Sequence, residues 1–104
     1  MMMTIHNPAS PGEMLKGWLD DMGSSVTDFA AHIYISRVML SRVLNGHAAV
    51  SAEMDVRLSE ALGTVPGYWV ALQNQCDLWV ASQNAKQRPR IKRLKAHRSA
   101  ASMS

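Results

Sequence analysis

Cysteine is all but missing from this chain: Cys76 stands alone in 104 residues. No intramolecular disulfide can form, and a lone thiol suits a reducing compartment, so a cytoplasmic location is the expectation. No apolar run approaches the roughly eighteen residues that a membrane span requires. The start, MMMTIHNPAS, has neither a basic n-region nor an apolar h-region, so no secretory signal is expected there. The sequence also lacks a glycine-rich phosphate loop, a nucleophile elbow and a zinc motif. His6, His32, His47, His97 and Cys76 are scattered without metal-ligand spacing. Asp20 and Asp21 are adjacent on a helix and so point about 100° apart, which does not make a catalytic pair. The expectation is a protein with no catalytic residue, no metal and no cofactor.

Acidic residues are absent after Asp77. Up to that point the chain holds eight acidic side chains against four basic ones (Lys16, Arg37, Arg42, Arg57), a net of −4. Beyond it stand Lys86, Arg88, Arg90, Lys92, Arg93, Lys95 and Arg98 with no acid, a net of +7. The overall charge of +3 therefore hides a mildly acidic body and a strongly basic tail. Affinity for a polyanion must come from the tail or from a local patch.

What is present is helical periodicity. Apolar residues make up 47% of the chain, enough to close one small core. Thr4 to Ala9 reads as an extended arm, because Pro8 biases Asn7 away from helix. Ser10-Pro11-Gly12-Glu13 has the form of a capping box with proline at the first helical position. It opens a helix with Met14, Leu15, Trp18, Leu19 and Met22 on one face, ended by Gly23. Ser25 caps a second helix with Phe29, Ala30 and Ile33 inward. Ile35 lies in a turn, and Ser36 caps a third helix with Leu40, Val43 and Leu44 inward, closed by Asn45-Gly46. Residues 47–50 read as a loop. Ser51 caps a fourth helix with Met54, Leu58, Ala61 and Leu62 inward, stopped by Gly63. Thr64 and Pro66 open a fifth, whose apolar positions Trp69, Leu72, Cys76, Trp79 and Val80 carry it to about Lys86. Five helices and no convincing strand make the chain all-α. The expected organisation is an arm over 1–9, a helical domain over 10–86, and a basic tail over 87–104 that is disordered alone. Trp18 and Trp69 read as core; Trp79 is open between core and a dimer contact.

Val26 to Gly46 fits a DNA-binding helix-turn-helix. Phe29, Ala30, Ile33, Ile35, Leu40 and Val43 lock two helices at a steep angle, so the first turn of the second one protrudes. Arg37 lies in that turn and can reach a guanine edge bidentately, and Val38 can touch a thymine methyl. Ser41 and Arg42 follow one turn on, over base edges or phosphate. Ser25 and Asn45 can hold phosphate from the two ends of the motif, and Ser36 opens the reading helix. A helical hairpin that never touches DNA is the alternative, and the acidic body favours it. The tail has three readings: phosphate attraction, a segment that folds on a partner protein, or a solvated extension.

Residues 10–80 resemble the lambda-repressor-like, Cro-type helix-turn-helix family, and more narrowly the HigA-type antitoxins. The narrow resemblance is carried by Ser36-Arg37, Leu40-Ser41-Arg42, Leu44-Asn45-Gly46, Glu53-Met54, Arg57-Leu58-Ser59, Ala61-Leu62-Gly63, Pro66, Trp69, Leu72-Gln73-Asn74 and Asp77-Leu78. The resemblance implies a homodimer that represses its own operon by binding a palindromic operator in double-stranded DNA. It also implies a HigB-type toxin partner that cleaves mRNA. A regulator without a toxin, or a protein-interaction module with little DNA binding, are the competing readings. Four positions depart from the family. Tyr34 stands where the turn usually has Gly, Met39 where a small hydroxyl residue is common, Ala52 for Pro and Gly67 for Glu. A bulky residue at positive φ is strained, which leaves open whether the turn at Tyr34 keeps the family's form or is rearranged.

Overall fold

The computed structural model of the chain describes residues 8–95. Its elements in chain order are α1 (Pro11–Met22), α2 (Val26–His32), α3 (Arg37–Leu44), α4 (Ala52–Leu62) and α5 (Tyr68–Ala85), with no strand among the described residues. Four helices begin at a serine whose hydroxyl accepts the amide three residues on: Ser10 from Glu13, Ser25 from Asp28, Ser36 from Met39 and Ser51 from Met54. Each supplies a partner to an amide that the helix itself cannot satisfy. At Ser10 the capping box is complete, the Glu13 carboxylate accepting the Ser10 amide at 3.1 Å. Residues 1–7 of the expected arm, and 96–104 of the expected tail, lie outside the described residues. Residues 86–95 are exposed.

The core joins α1, α2 and α3 to α4 and the start of α5. Leu15, Leu40, Leu58 and Trp69 are its fully enclosed side chains, surrounded by Leu19, Phe29, Ala30, Ile33, Val43, Leu44, Val50 and Met54. Trp18 is half-buried and meets Trp69 edge to face, with ring centroids 6.3 Å apart. Val50, read from sequence as part of a loop, is a core residue. Its amide donates to Gln73 Oε1 at 3.1 Å, which ties the α3–α4 connection to α5. Met22, the last residue of α1, and Val80, in the second half of α5, were placed on inward stripes by periodicity and are exposed instead. Of the α5 stripe only Trp69 is buried; Leu72, Cys76 and Trp79 are half-buried. Burial, then the charges of Asp77 and Glu13, push the Cys76 thiol pKa up, and its Sγ lies 3.3 Å from the Ala9 carbonyl.

The start of α5 departs from the sequence reading. The helix begins at Tyr68, after Gly67 at φ 98°, and no side chain of its own caps it. Asp55 of α4 does so from across the core. Its carboxylate accepts the Gly67 amide at 2.8 Å and the Val70 amide at 2.9 Å. Thr64, expected to open α5, accepts the Trp69 indole N–H at 3.0 Å and donates to Ser59 Oγ at 3.3 Å. The Ser59 hydroxyl in turn lies 3.3 Å from both Asp55 Oδ1 and the Val65 carbonyl. Asp55 and Ser59 are both buried, so this chain of donors and acceptors holds α5 to α4 in a dry environment. Burial pushes the Asp55 carboxyl up. The amides of Gly67 and Val70, the Ser59 hydroxyl and the Trp69 amide outweigh it and hold the pKa below the ordinary 3.8.

Candidate nucleic-acid interface

α2 and α3 meet across a turn of four residues, Ile33 to Ser36. Tyr34 has φ 61°. The turn is not rearranged around it. The Tyr34 amide donates to the Ala31 carbonyl at 3.2 Å and the Ile35 amide to the Ala30 carbonyl at 3.0 Å, the pair of bonds that closes a helix through a left-handed residue. Two features accommodate the bulky residue. Its side chain is 85% exposed, so the strain is confined to the backbone. Arg57 of α4 then clamps the turn, with Nη1 2.9 Å from each of the Ile33 and Tyr34 carbonyls and Nε 2.9 Å from Glu53 Oε2. The guanidinium thus meets the carbonyl end of α2, where a cation is favoured. Replacing Tyr34 with Gly is expected to raise stability by about 1 kcal/mol, read as a higher urea midpoint at unchanged slope, because the left-handed strain of an L-residue is removed.

Because Leu40, Val43 and Leu44 are buried, the opposite face of α3 is fixed. At about 100° per residue, Val38, Arg42 and Asn45 fall within roughly 60° of one another at its centre. Arg37 and Ser41 flank them on one side and Met39 on the other. Val38 is 65% exposed, and Ser36, Arg37, Arg42 and Asn45 are exposed as well. The arrangement departs from the sequence reading at Ser41, which is half-buried. It lines a depression with Lys16, Asp20, Ser24, Val26 and Asn45, where α3 passes the α1–α2 connection. Asn45 Nδ2 donates to the Ser41 carbonyl at 3.0 Å and lies 3.4 Å from its hydroxyl, so part of the amide is used to cap α3. Arg42 Nη2 donates to the His47 carbonyl at 3.0 Å, which orients it along the C-terminal end of α3. Ser25 and Ser36 use an oxygen lone pair as caps and keep a hydroxyl proton to donate.

Three residues near this face were not among the DNA contacts expected from the sequence. Lys16 adds a cation from α1 beside Ser41 and Asn45; it is the sole basic residue of α1, which was the available signal. Thr27 accepts from Arg37, and Arg57 fixes the turn. Neither contact has a local sequence signature. The face is therefore a protruding helix with two arginines, a small apolar side chain between them, and hydroxyl and amide groups at its edges. Among the described residues no three side chains are grouped to hold a metal.

No family model matches the chain. Individual relatives do. An antitoxin, HigA-1 of Vibrio cholerae, is 35% identical over 80 residues, covering 76% of this chain and 75% of the relative. YddM of Escherichia coli K12, an uncharacterised HTH-type transcriptional regulator, is 36% identical over 76 residues, covering 73% of this chain and 81% of its own length. The chain belongs to the HTH-type regulator family that includes the HigA antitoxins. Among solved structures, antitoxin GraA in complex with its operator superposes with a TM-score of 0.80 at 30% identity, over 92% of this chain and all of GraA. The Trp69-x-x-Leu72-Gln73 run of this chain has a physical reason visible in the fold. Trp69 fills the centre of the core and Gln73 holds the Val50 amide, so the run fastens α5 to the end of the helix-turn-helix.

Proposed function

We propose that the chain is a sequence-specific DNA-binding repressor of the HigA antitoxin type. It acts as a homodimer on a palindromic operator, with the outward face of α3 in the major groove. The observation that carries the reading is that face itself: Arg37, Val38 and Arg42 project from a helix held rigid by the core on one side and by the Arg57 clamp at its entry. Arg37 and Val38 read bases; Arg42, Asn45, Ser36 and Ser25 hold the backbone; Ser41 and Lys16 meet the phosphate beside the α1–α2 connection. The operator complex of GraA, a related antitoxin of the same fold, supports this assignment. In a dimer the two α3 helices would enter successive major grooves about 34–36 Å apart. The exposed Lys86, Arg88, Arg90, Lys92, Arg93 and Lys95 add salt-sensitive phosphate attraction that the acidic body lacks. The Vibrio relative is an antitoxin, which supports extending the reading to a toxin as second partner, of the HigB type that the family resemblance implies.

A second reading, a protein-interaction module with little DNA binding, is favoured by one feature. Leu78 is 70% exposed beside Val80 and the half-buried Trp79, whose indole N–H is shielded yet has no partner among the described residues. That half of α5 calls for a protein surface. The two readings separate on Arg37→Ala. Operator affinity is expected to fall by about 1–3 kcal/mol per half-site, roughly five- to 150-fold, while dimerisation and any toxin binding stay unchanged. The measurement is a titration of wild type and variant against the promoter of the chain's own operon and against random duplex at two salt concentrations. A wild-type protein that binds the palindrome no more tightly than random DNA ends the repressor reading.

A further inference from the structure

Arg37 opens α3 and Thr27 lies in the first turn of α2. Arg37 Nε donates to Thr27 Oγ1 at 3.0 Å. Both residues are exposed, so this bond forms on the surface where the two helices approach, not in the core. Arginine carries five N–H groups in a planar fork. Commitment of Nε leaves the four on Nη1 and Nη2, none of which has a partner among the described residues. Arg57 behaves otherwise: its Nε and Nη1 are both committed to protein acceptors, one of them the Glu53 carboxylate. Arg37 is thus held at its root and open at its tip.

That geometry restricts what the tip can read. An arginine can approach a base side-on through Nε and one Nη, or end-on through both Nη atoms. With Nε taken by Thr27, the end-on approach remains. Two parallel N–H donors then match the O6 and N7 acceptors that guanine shows in the major groove. Adenine offers N7 beside the N6 amino donor, which opposes the second N–H. We propose that Thr27 is a positioning residue that presets Arg37 for end-on recognition of one guanine in each half-site, and that it sharpens discrimination for that base without touching it. The inference rests on the repressor reading above.

The test uses the full chain and the duplex that wild-type protein selects from a randomised library. Failure to select any sequence overturns the repressor reading itself; selection followed by the results below bears on Thr27 alone. Thr27→Val keeps the shape and removes the oxygen, and an unchanged thermal midpoint shows that the variant folds. It is expected to bind the selected duplex about five- to tenfold more weakly, as befits one lost hydrogen bond, and random duplex as tightly as wild type. Thr27→Ser is expected to restore selective binding. Replacing guanines one at a time by 7-deazaguanine, which lacks the N7 acceptor, should weaken wild type at one position per half-site. That penalty should shrink in Thr27→Val, persist in Thr27→Ser and vanish in Arg37→Ala. The inference is overturned if Thr27→Val binds the selected duplex like wild type, if it loses affinity equally on random duplex, or if serine does not rescue.

Discussion

Replacement of Asp55 by Ala is expected to destabilise the protein by about 4 kcal/mol, the range seen when one partner of a buried, charged hydrogen-bond set is removed. Asp55 is 2% exposed and its carboxylate satisfies the Gly67 and Val70 amides that open α5, a helix with no capping side chain of its own. Alanine leaves both amides unpaired, opens a void beside Ser59, and breaks the run of hydrogen bonds from the Trp69 indole through Thr64 and Ser59. Asp55→Asn should recover only part of the loss, since one end of the amide presents N–H to N–H. The pH dependence separates the charge from the shape. The folded-state pKa lies below the unfolded value near 3.8, so the unfolded chain takes up the proton first. The carboxylate's contribution is complete above that unfolded value and is lost as pH falls through the folded one. Urea midpoints measured from neutral pH down through the carboxylate range should therefore converge for wild type and Asp55→Asn at the acid end. Parallel curves would show that the charge of Asp55 contributes nothing.

This network also marks where the sequence stopped being legible. The four serine caps were readable because donor and acceptor are three residues apart, and the helix stripes because a helix repeats every turn. Asp55 and Ser59 are four residues apart on the inward side of α4, a position where polar residues need partners, and Gly67 is a helix start without a capping side chain. Those two signals belong together, but the contacts joining them span twelve and fifteen residues and depend on how α4 meets α5. Arg57 is the same case, since it reaches carbonyls more than twenty residues earlier. The outward face of α3 was legible because burial of Leu40, Val43 and Leu44 dictates what points away. The orientation of Arg37 was not, because Thr27 lies on another helix. On α5, the stripe from Trp69 to Val80 states that those side chains favour burial; it does not say against what. The described fold buries the first of them, half-buries Leu72, Cys76 and Trp79, and leaves Val80 exposed with Leu78 beside it. In the homodimer reading, that exposed half is where a second copy would pack.

Substitution of Gly12 by Ala is expected to cost about 3 kcal/mol, although alanine is the better helix former. Gly12 is the second residue of α1, and α1 begins against the end of α3. A Cβ at Gly12 would lie 2.4 Å from the Val43 carbonyl oxygen and 2.6 Å from that of Leu44. These are backbone atoms of the helix that carries Arg37 and Arg42, so they cannot turn aside as a side chain would. Either α1 lifts away, which uncovers Leu15 and Leu19, or the end of α3 shifts, which moves the reading face. Gly17, five residues later on α1, is the internal control. Its Cβ would meet nothing within 4 Å and its backbone is helical, so Gly17→Ala should stabilise by about 0.5–1 kcal/mol through helix propensity alone. Thermal midpoints of the two variants should therefore move in opposite directions from wild type. Operator affinity should fall for Gly12→Ala even below its melting range and stay level for Gly17→Ala. A Gly12→Ala protein as stable as wild type would mean that α1 and α3 are not in contact at this point. The angle at which α3 is presented would then have to be set by α2 and the Arg57 clamp alone.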